Sequence, residues 1–232
     1  MISSTAGALT GSFIVFEGID GCGKTTQLDR LYHWLTAAGG RDWVGAGRVL
    51  RTREPGATEL GKRLRSLLLK SDWEGMAPDP TAELLLYAAD RAQNVRQVIL
   101  PQIQSGGWVL CDRHTDSTIA YQGYGRGLDL GLIQQLNQIA TGGLVSDLTL
   151  WIDVPVDVAR SRLQARSLQK AGENGDKLDR MEAADLSFHH QVRQGFVDLA
   201  AQGSDRWVRI EGQGDPDTIA VQIRSIVQER LL

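Results

Sequence analysis

The chain has 232 residues, 42% of them hydrophobic and 23% charged, with 25 Lys and Arg against 28 Asp and Glu for a net charge of −3. This is a globular composition, which excludes a disordered or fibrous chain, and the missing basic excess argues against a nucleic-acid partner. No apolar run approaches the ~20 residues that cross a bilayer, and Met1–Thr10 lacks the basic and apolar regions of a signal peptide, so no membrane role is expected.

After a flexible tail of small residues over 1–11, Phe13-Ile14-Val15-Phe16 is an apolar run of the kind buried on both faces of a parallel sheet. From Lys24 to Ala38, Leu28, Leu31, Tyr32 and Leu35 share one helical stripe, and Gly39-Gly40 supplies the stop. Val49–Thr52 reads as a second strand, followed by a helix over Glu59–Lys70. Asp79-Pro80 is an N-cap with proline in the first turn, opening a helix with Leu84, Ala88, Ala92, Val95 and Ile99 on its core stripe. Trp108–Cys111, Leu148–Ile152 and Trp207–Ile210 read as the third to fifth strands, and a last helix buries Ile219, Ile223, Ile226, Val227 and Leu231. Short apolar strands alternating with amphipathic helices predict an α/β fold, a five-stranded parallel sheet with helices on both faces, in one domain over 12–232. Gln169–Lys177 lacks an apolar pattern and reads as a mobile surface loop.

Gly18-Ile19-Asp20-Gly21-Cys22-Gly23-Lys24-Thr25 matches G-x-x-x-x-G-K-[ST] between a strand and a helix, and Thr26 follows it. Glycines let successive backbone N–H groups converge on one phosphate, and the helix N-terminus adds positive charge. Lys24 reaches the β- and γ-phosphates, and the Thr25 hydroxyl can ligate Mg²⁺. The loop therefore binds a nucleoside triphosphate. It does not by itself separate kinases from nucleotide-switched proteins, and the N-K-x-D segment that reads guanine is absent from the sequence. Asp112-Arg113 directly follows the third strand, where residues line the ligand crevice of an open parallel sheet. There Asp112 can hold Mg²⁺, directly or through water, and Arg113 a phosphate, or the two can form a strand-end ion pair.

Thr52-Arg53-Glu54-Pro55-Gly56, Tyr87-Ala88-Ala89-Asp90-Arg91, Asp112-Arg113-His114, Ala120-Tyr121-Gln122-Gly123 and Leu178-Asp179-Arg180 stand in this order behind the phosphate loop. Together, over residues 12–230, they resemble the thymidylate (dTMP) kinases among the P-loop nucleoside monophosphate kinases. The resemblance implies a P-loop NTPase fold with a flexible lid over about 166–180. It implies γ-phosphoryl transfer from ATP to dTMP, giving dTDP and ADP for dTTP biosynthesis, with ATP and Mg²⁺ as cofactors. It also implies a homodimer. Two cysteines, Cys22 and Cys111, cannot form a disulfide framework, and reduced cytoplasmic thiols that fill space are the expectation.

Residue by residue, the resemblance makes Tyr87 the ring that stacks on thymine and Arg91 a donor to a base carbonyl. The two are four apart on one helix face. Read alone, Tyr87 also suits plain packing and Arg91 a solvated face. Gln122 offers a donor and an acceptor to the thymine N3–H and its neighbouring carbonyl. Thr118 and Tyr121 belong to the same substrate-binding set, Arg53 and Arg113 hold the acceptor phosphate, and Asp20 accepts the deoxyribose 3′-hydroxyl and helps organise the metal held by Thr25 and Asp112. Gly21 stands where some members carry an arginine, so the charge-neutralising cation is expected from Arg160, Arg162, Arg166 or Arg180. Arg166 is the first choice, with Lys24 and Arg113 as its catalytic partners; a basic helix face is the other reading of Arg160 and Arg162. No general base is required, and His114 reads as a polar neighbour. The competing functions are a deoxynucleoside kinase and a nucleotide-switched P-loop ATPase or binding protein.

Overall fold

The computed structural model describes residues 11–37, 44, 48–70, 77–170, 178–202 and 205–232. Its centre is a parallel sheet of β1 (Phe13–Glu17), β2 (Val49–Arg53), β3 (Trp108–Asp112), β4 (Leu148–Asp153) and β5 (Trp207–Glu211), in the order β2-β3-β1-β4-β5. Side chains of β1 alternate between two cores. Ile14 and Phe16 join Leu28, Leu31 and Leu35 on one face, while Phe13 and Val15 meet Val95, Ile99 and Ile103 on the other. Helices thus cover both faces, as a strand buried all round requires.

Among the described residues the helices are α1 (Lys24–Thr36), α2 (Glu59–Leu69), α3 (Pro80–Asn94), α4 (Leu100–Gln104), α5 (Thr115–Thr118), α6 (Leu130–Thr141), α7 (Val156–Lys170), α8 (Leu186–Ala201) and α9 (Pro216–Leu231). π-helical stretches at Val95–Ile99 and Ile119–Gly125 join α3 to α4 and extend α5. Caps follow local chemistry, with Thr58, Asp79, Asp129, Asp185 and Asp215 each accepting a hydrogen bond from a backbone N–H in the first turn.

Several expectations are corrected. Helix α1 stops at Thr36 with Ala37 extended, and Gly39-Gly40 lies outside the described residues. On α3, Ala88 and Ala92 are only half-buried, whereas Glu83, Asp90, Arg91 and Asn94 are buried beside Leu84. The inward stripe of that helix is polar because its side chains bond across to neighbouring elements, Arg91 and Asn94 to Glu54, Asn94 to Thr52 and Asp90 to Gly56 N. Ile226 and Leu231 are likewise half-buried. Gln169 and Lys170 are not loop: they close helix α7, and 171–177, like the tail over 1–10, lies outside the described residues. Helices α5, α6 and α8 are not expected from the sequence, and α7 only as a basic helix face at Arg160 and Arg162. Among the described side chains of α7, Val156, Ala159 and Leu163 are the buried ones, too few to mark an apolar stripe.

Candidate active site

The phosphate loop joins β1 to α1, and Gly23 at φ 101° is the N-cap of that helix. Ile19 and Cys22 turn into the core, while Asp20, Gly21, Gly23, Lys24, Thr25 and Thr26 line a cleft of about 1220 Å³. Gly21 has φ 81°, and a Cβ there would lie 2.4 Å from the carbonyl oxygen of Ala159 on α7. No side chain fits, so the site has no arginine here for a steric reason as well as a sequence one.

Thr25 Oγ1 donates to Asp112 Oδ2 at 2.6 Å, which brings the two expected metal ligands together across 87 residues of sequence. A hydroxyl and a carboxylate on the wall of a phosphate-binding cleft are hard oxygen donors of the kind Mg²⁺ takes alongside nucleotide phosphates. The residues present therefore fit this ion.

Arg113 sits just past β3 at φ 72°, a backbone conformation unusual for a side-chain-bearing residue, and a set of contacts fixes it there. Its N–H bonds Phe16 O at 3.0 Å. Nη1 donates to Gly18 O and Ser117 Oγ at 3.0 Å each, and Nη2 donates to Asp20 Oδ1 at 2.6 Å and Tyr121 Oη at 2.9 Å. Lys24 Nζ lies 3.5 Å from the same Asp20 oxygen. Burial would raise the Asp20 pKa, but the charges of Arg113 and Lys24 and the Tyr121 hydroxyl hold it well below the usual carboxylate range. Asp20 is thus an anion that Arg113, Lys24 and Tyr121 keep in place.

A second cavity of about 70 Å³ opens behind this cluster, with Tyr87, Arg91, Thr118, Tyr121 and Gln122 on its wall. All five are expected substrate residues. Arg91 is not a solvated residue: it is 2% exposed and donates at 2.8 Å to Glu54 Oε2, Asn137 Oδ1 and His114 O. Glu54 also meets Asn94 Nδ2 at 3.0 Å and His114 Nδ1 at 3.1 Å. Burial alone would raise the Glu54 pKa, yet Arg91 and His114 hold it down at about 2. His114 lines neither cavity and serves this network. Arg53 lies on the cleft wall only, exposed at the end of β2 and in register with Asp112.

The two cavities share Asp20, Glu54, Arg65, Arg113 and Asp179. Sequence reasoning missed Arg65, which donates from α2 to Pro55 O at 2.9 Å. Burial and the neighbouring charge of Arg53 lower its pKa. Lys62, Arg63 and Arg65 look alike along the chain, so helical phase was the one signal that could have separated them. Glu83 and Arg126 were missed as well.

The candidate cations also separate. Arg166 lines the cleft, its side chain 52% exposed, with Nη2 2.5 Å from Glu182 Oε1. Arg162 lines it too, donating to Cys22 O at 3.1 Å and Gly212 O at 3.0 Å. Arg180 is held by Leu68 O and Glu83, and Arg160 is exposed on α7 away from both cavities.

A family model described as thymidylate kinase matches residues 16–223. The chain is 52% identical over 228 residues to a thymidylate kinase of Thermosynechococcus vestitus, covering 95% of this chain and 88% of the relative. It is 51% identical over 230 residues to one of Acaryochloris marina, covering 96% and 98% of the two chains. Among solved structures, a thymidylate kinase from Ehrlichia chaffeensis superposes with a TM-score of 0.72 at 33% identity, over 94% of this chain and 98% of that one.

Proposed function

The chain belongs to the thymidylate kinase family, and we propose that it moves the γ-phosphoryl group of ATP to the 5′-phosphate of dTMP, yielding dTDP and ADP. One observation supports this most: the cleft over the phosphate loop and the Tyr87–Gln122 cavity meet at Arg113, Arg65 and Asp20. A donor phosphate in the cleft and an acceptor phosphate at the junction face each other there.

Phosphoryl transfer is mainly positioning and charge neutralisation. In our reading, the N–H groups of residues 18–26 and Lys24 hold the triphosphate. Thr25 and Asp112 hold Mg²⁺, which when bound neutralises phosphate charge and orients the nucleotide. Arg113 and Arg53 take the acceptor phosphate, Asp20 receives the 3′-hydroxyl, and Tyr87, Arg91, Thr118, Tyr121 and Gln122 enclose the nucleoside. The acceptor phosphate is already largely ionised at neutral pH, so no base is assigned. Arg166 supplies the cation on the γ-phosphoryl group.

The working unit is one kinase domain over 12–232, in a cytoplasmic enzyme whose two free thiols are buried. Among the described residues no helix is long and apolar enough to cross a membrane. We also assign a homodimer. Leu60 and Leu67 on α2, Leu85 on α3, and Leu132 and Ile139 on α6 are exposed on three helices of which α3 packs against both others. Light scattering is expected to return twice the 25.4 kDa chain mass; a monomeric mass at micromolar concentration removes that assignment.

ADP release measured with ATP plus dTMP, dUMP, thymidine or no acceptor tests the reaction. Turnover is expected with dTMP and to be lost with thymidine. Release that is independent of dTMP identifies a nucleotide-switched ATPase instead, and release driven by thymidine a deoxynucleoside kinase.

A further inference from the structure

Glu83 lies one turn before Tyr87 on α3, its side chain 1% exposed, and donors reach it from two directions. Gln122 Nε2 is 2.7 Å from Oε1 and Arg180 Nη2 is 2.5 Å from Oε2. Arg126 adds Nε to Oε1 and Nη2 to Oε2 at 3.3 Å each. Burial alone would raise the Glu83 pKa, but the Gln122 hydrogen bond and the charges of Arg126 and Arg180 hold it below the ordinary glutamate value. It is therefore a carboxylate at neutral pH, and a carboxylate only accepts.

That settles the orientation of the Gln122 amide. An amide has a donor end and an acceptor end, and Glu83 can be met only by the donor end. Arg126 and Arg180 clamp the carboxylate, so it cannot rotate to release the amide. Gln122 itself is on the wall of the small cavity and Glu83 is not. With the amide turned this way, the oxygen is the acceptor that Gln122 keeps for whatever enters.

We propose that Glu83 is a positioning residue that fixes the Gln122 amide with its oxygen toward the base, so that the site accepts a pyrimidine carrying N3–H and rejects one with a lone pair at N3. The proposal rests on the assignment of the small cavity to the base of dTMP. It adds to that assignment the origin of the selectivity for thymine over cytosine, a group that touches no substrate.

The test compares dTMP with 5-methyl-dCMP, which keeps the shape and the methyl group but exchanges N3–H for a lone pair and the 4-oxygen for an amine. Wild-type kcat/KM is expected to favour dTMP by at least about 10³-fold, since a mismatched polar edge leaves buried groups unpaired. In Glu83→Gln the new amide can offer its own N–H to the Gln122 oxygen, turning the Gln122 donor toward the base. The ratio should fall at least about tenfold, mainly through a higher KM for dTMP, with kcat within about threefold. A merely structural role would lower both substrates together and leave the ratio alone. An unchanged ratio in a variant with a native melting curve overturns the proposal. Should that variant not fold, the wild-type ratio decides, and comparable use of 5-methyl-dCMP and dTMP by the wild type overturns it. A wild-type enzyme inert toward dTMP instead overturns the proposed function, and the inference with it.

Discussion

Arg166 and Glu182 form an ion pair on the wall of the large cleft, joining α7 to the segment beyond residues 171–177. With the Arg166 side chain half in solvent, such a pair contributes under about 1 kcal/mol, so a phosphate can displace the carboxylate at little cost. Arg166→Ala is expected to reduce kcat at least about 10²-fold while the dissociation constant for dTMP changes less than about threefold. Stopped-flow turnover and equilibrium titration measure the two. Near-normal turnover would move the role to Arg162, which faces the same cleft, or to Arg180.

Gly21 sets a second expectation. Its φ of 81° and the 2.4 Å approach of Ala159 O to a Cβ both oppose any side chain. Gly21→Ala should cost about 1–3 kcal/mol of stability, lowering Tm by roughly 2–10 °C, and should weaken kcat/KM for ATP because the loop must shift against α7. Calorimetry with a parallel ATP titration checks both. An unchanged melting temperature would mean that α7 yields freely at this point.

Glu17 makes stability depend on pH. Its buried carboxyl, 0% exposed, accepts from His114 N at 2.9 Å and from Ser117 N and Oγ at 3.1 and 2.5 Å, and burial together with Asp116 raises its pKa to about 7. Between its ordinary pKa of 4.5 and about 7, the folded state holds a proton that the unfolded state has lost. Glu17 therefore lends stability below pH 4.5 that disappears as pH rises through 7. Glu17→Gln should remove this component: its melting temperature relative to wild type should be higher at pH 8 than at pH 5. A difference constant across that range would place the Glu17 pKa near its ordinary value.

Cys22 and Cys111 are each at most 1% exposed, and burial pushes both thiols above their ordinary pKa, Cys111 well above it. Protonated, enclosed thiols react slowly. Iodoacetamide should label the native protein at least about 10²-fold more slowly than the denatured chain, and peroxide without reductant should leave activity unchanged. Rapid labelling that tracks inactivation would instead make these residues redox-sensitive.

How much of this was legible in the sequence depended on what each residue had to contact. All five strands were visible as short runs rich in apolar and β-branched residues, and each run stopped one residue early. The omitted residues are Glu17, Arg53, Asp112, Asp153 and Glu211, the charged C-terminal ends of the strands. An apolar criterion excludes them, yet Arg53 and Asp112 are on the cleft wall and Glu17 braces Ser117, which Arg113 contacts. The phosphate loop was legible because its geometry is local. Arg65, Glu83 and Arg126 were not, because their partners lie 10 to 97 residues away and, on helices or in a turn, they look like ordinary solvated charge. Helix α3 misled for the opposite reason: its alanines fit a core stripe, while its true inner face is Glu83, Asp90, Arg91 and Asn94.

That inner face has an evolutionary consequence. If the small cavity takes the base as proposed, the groups on its wall are anchored to groups that also form the protein's interior, so selectivity has no separate surface on which to drift. A substitution that retunes base preference through α3 strands a buried ion or amide at the same moment, and variants pass through a loss of stability before any gain in a new substrate. On the proposed assignment, descendants of this chain keep their base preference for as long as they keep this interior.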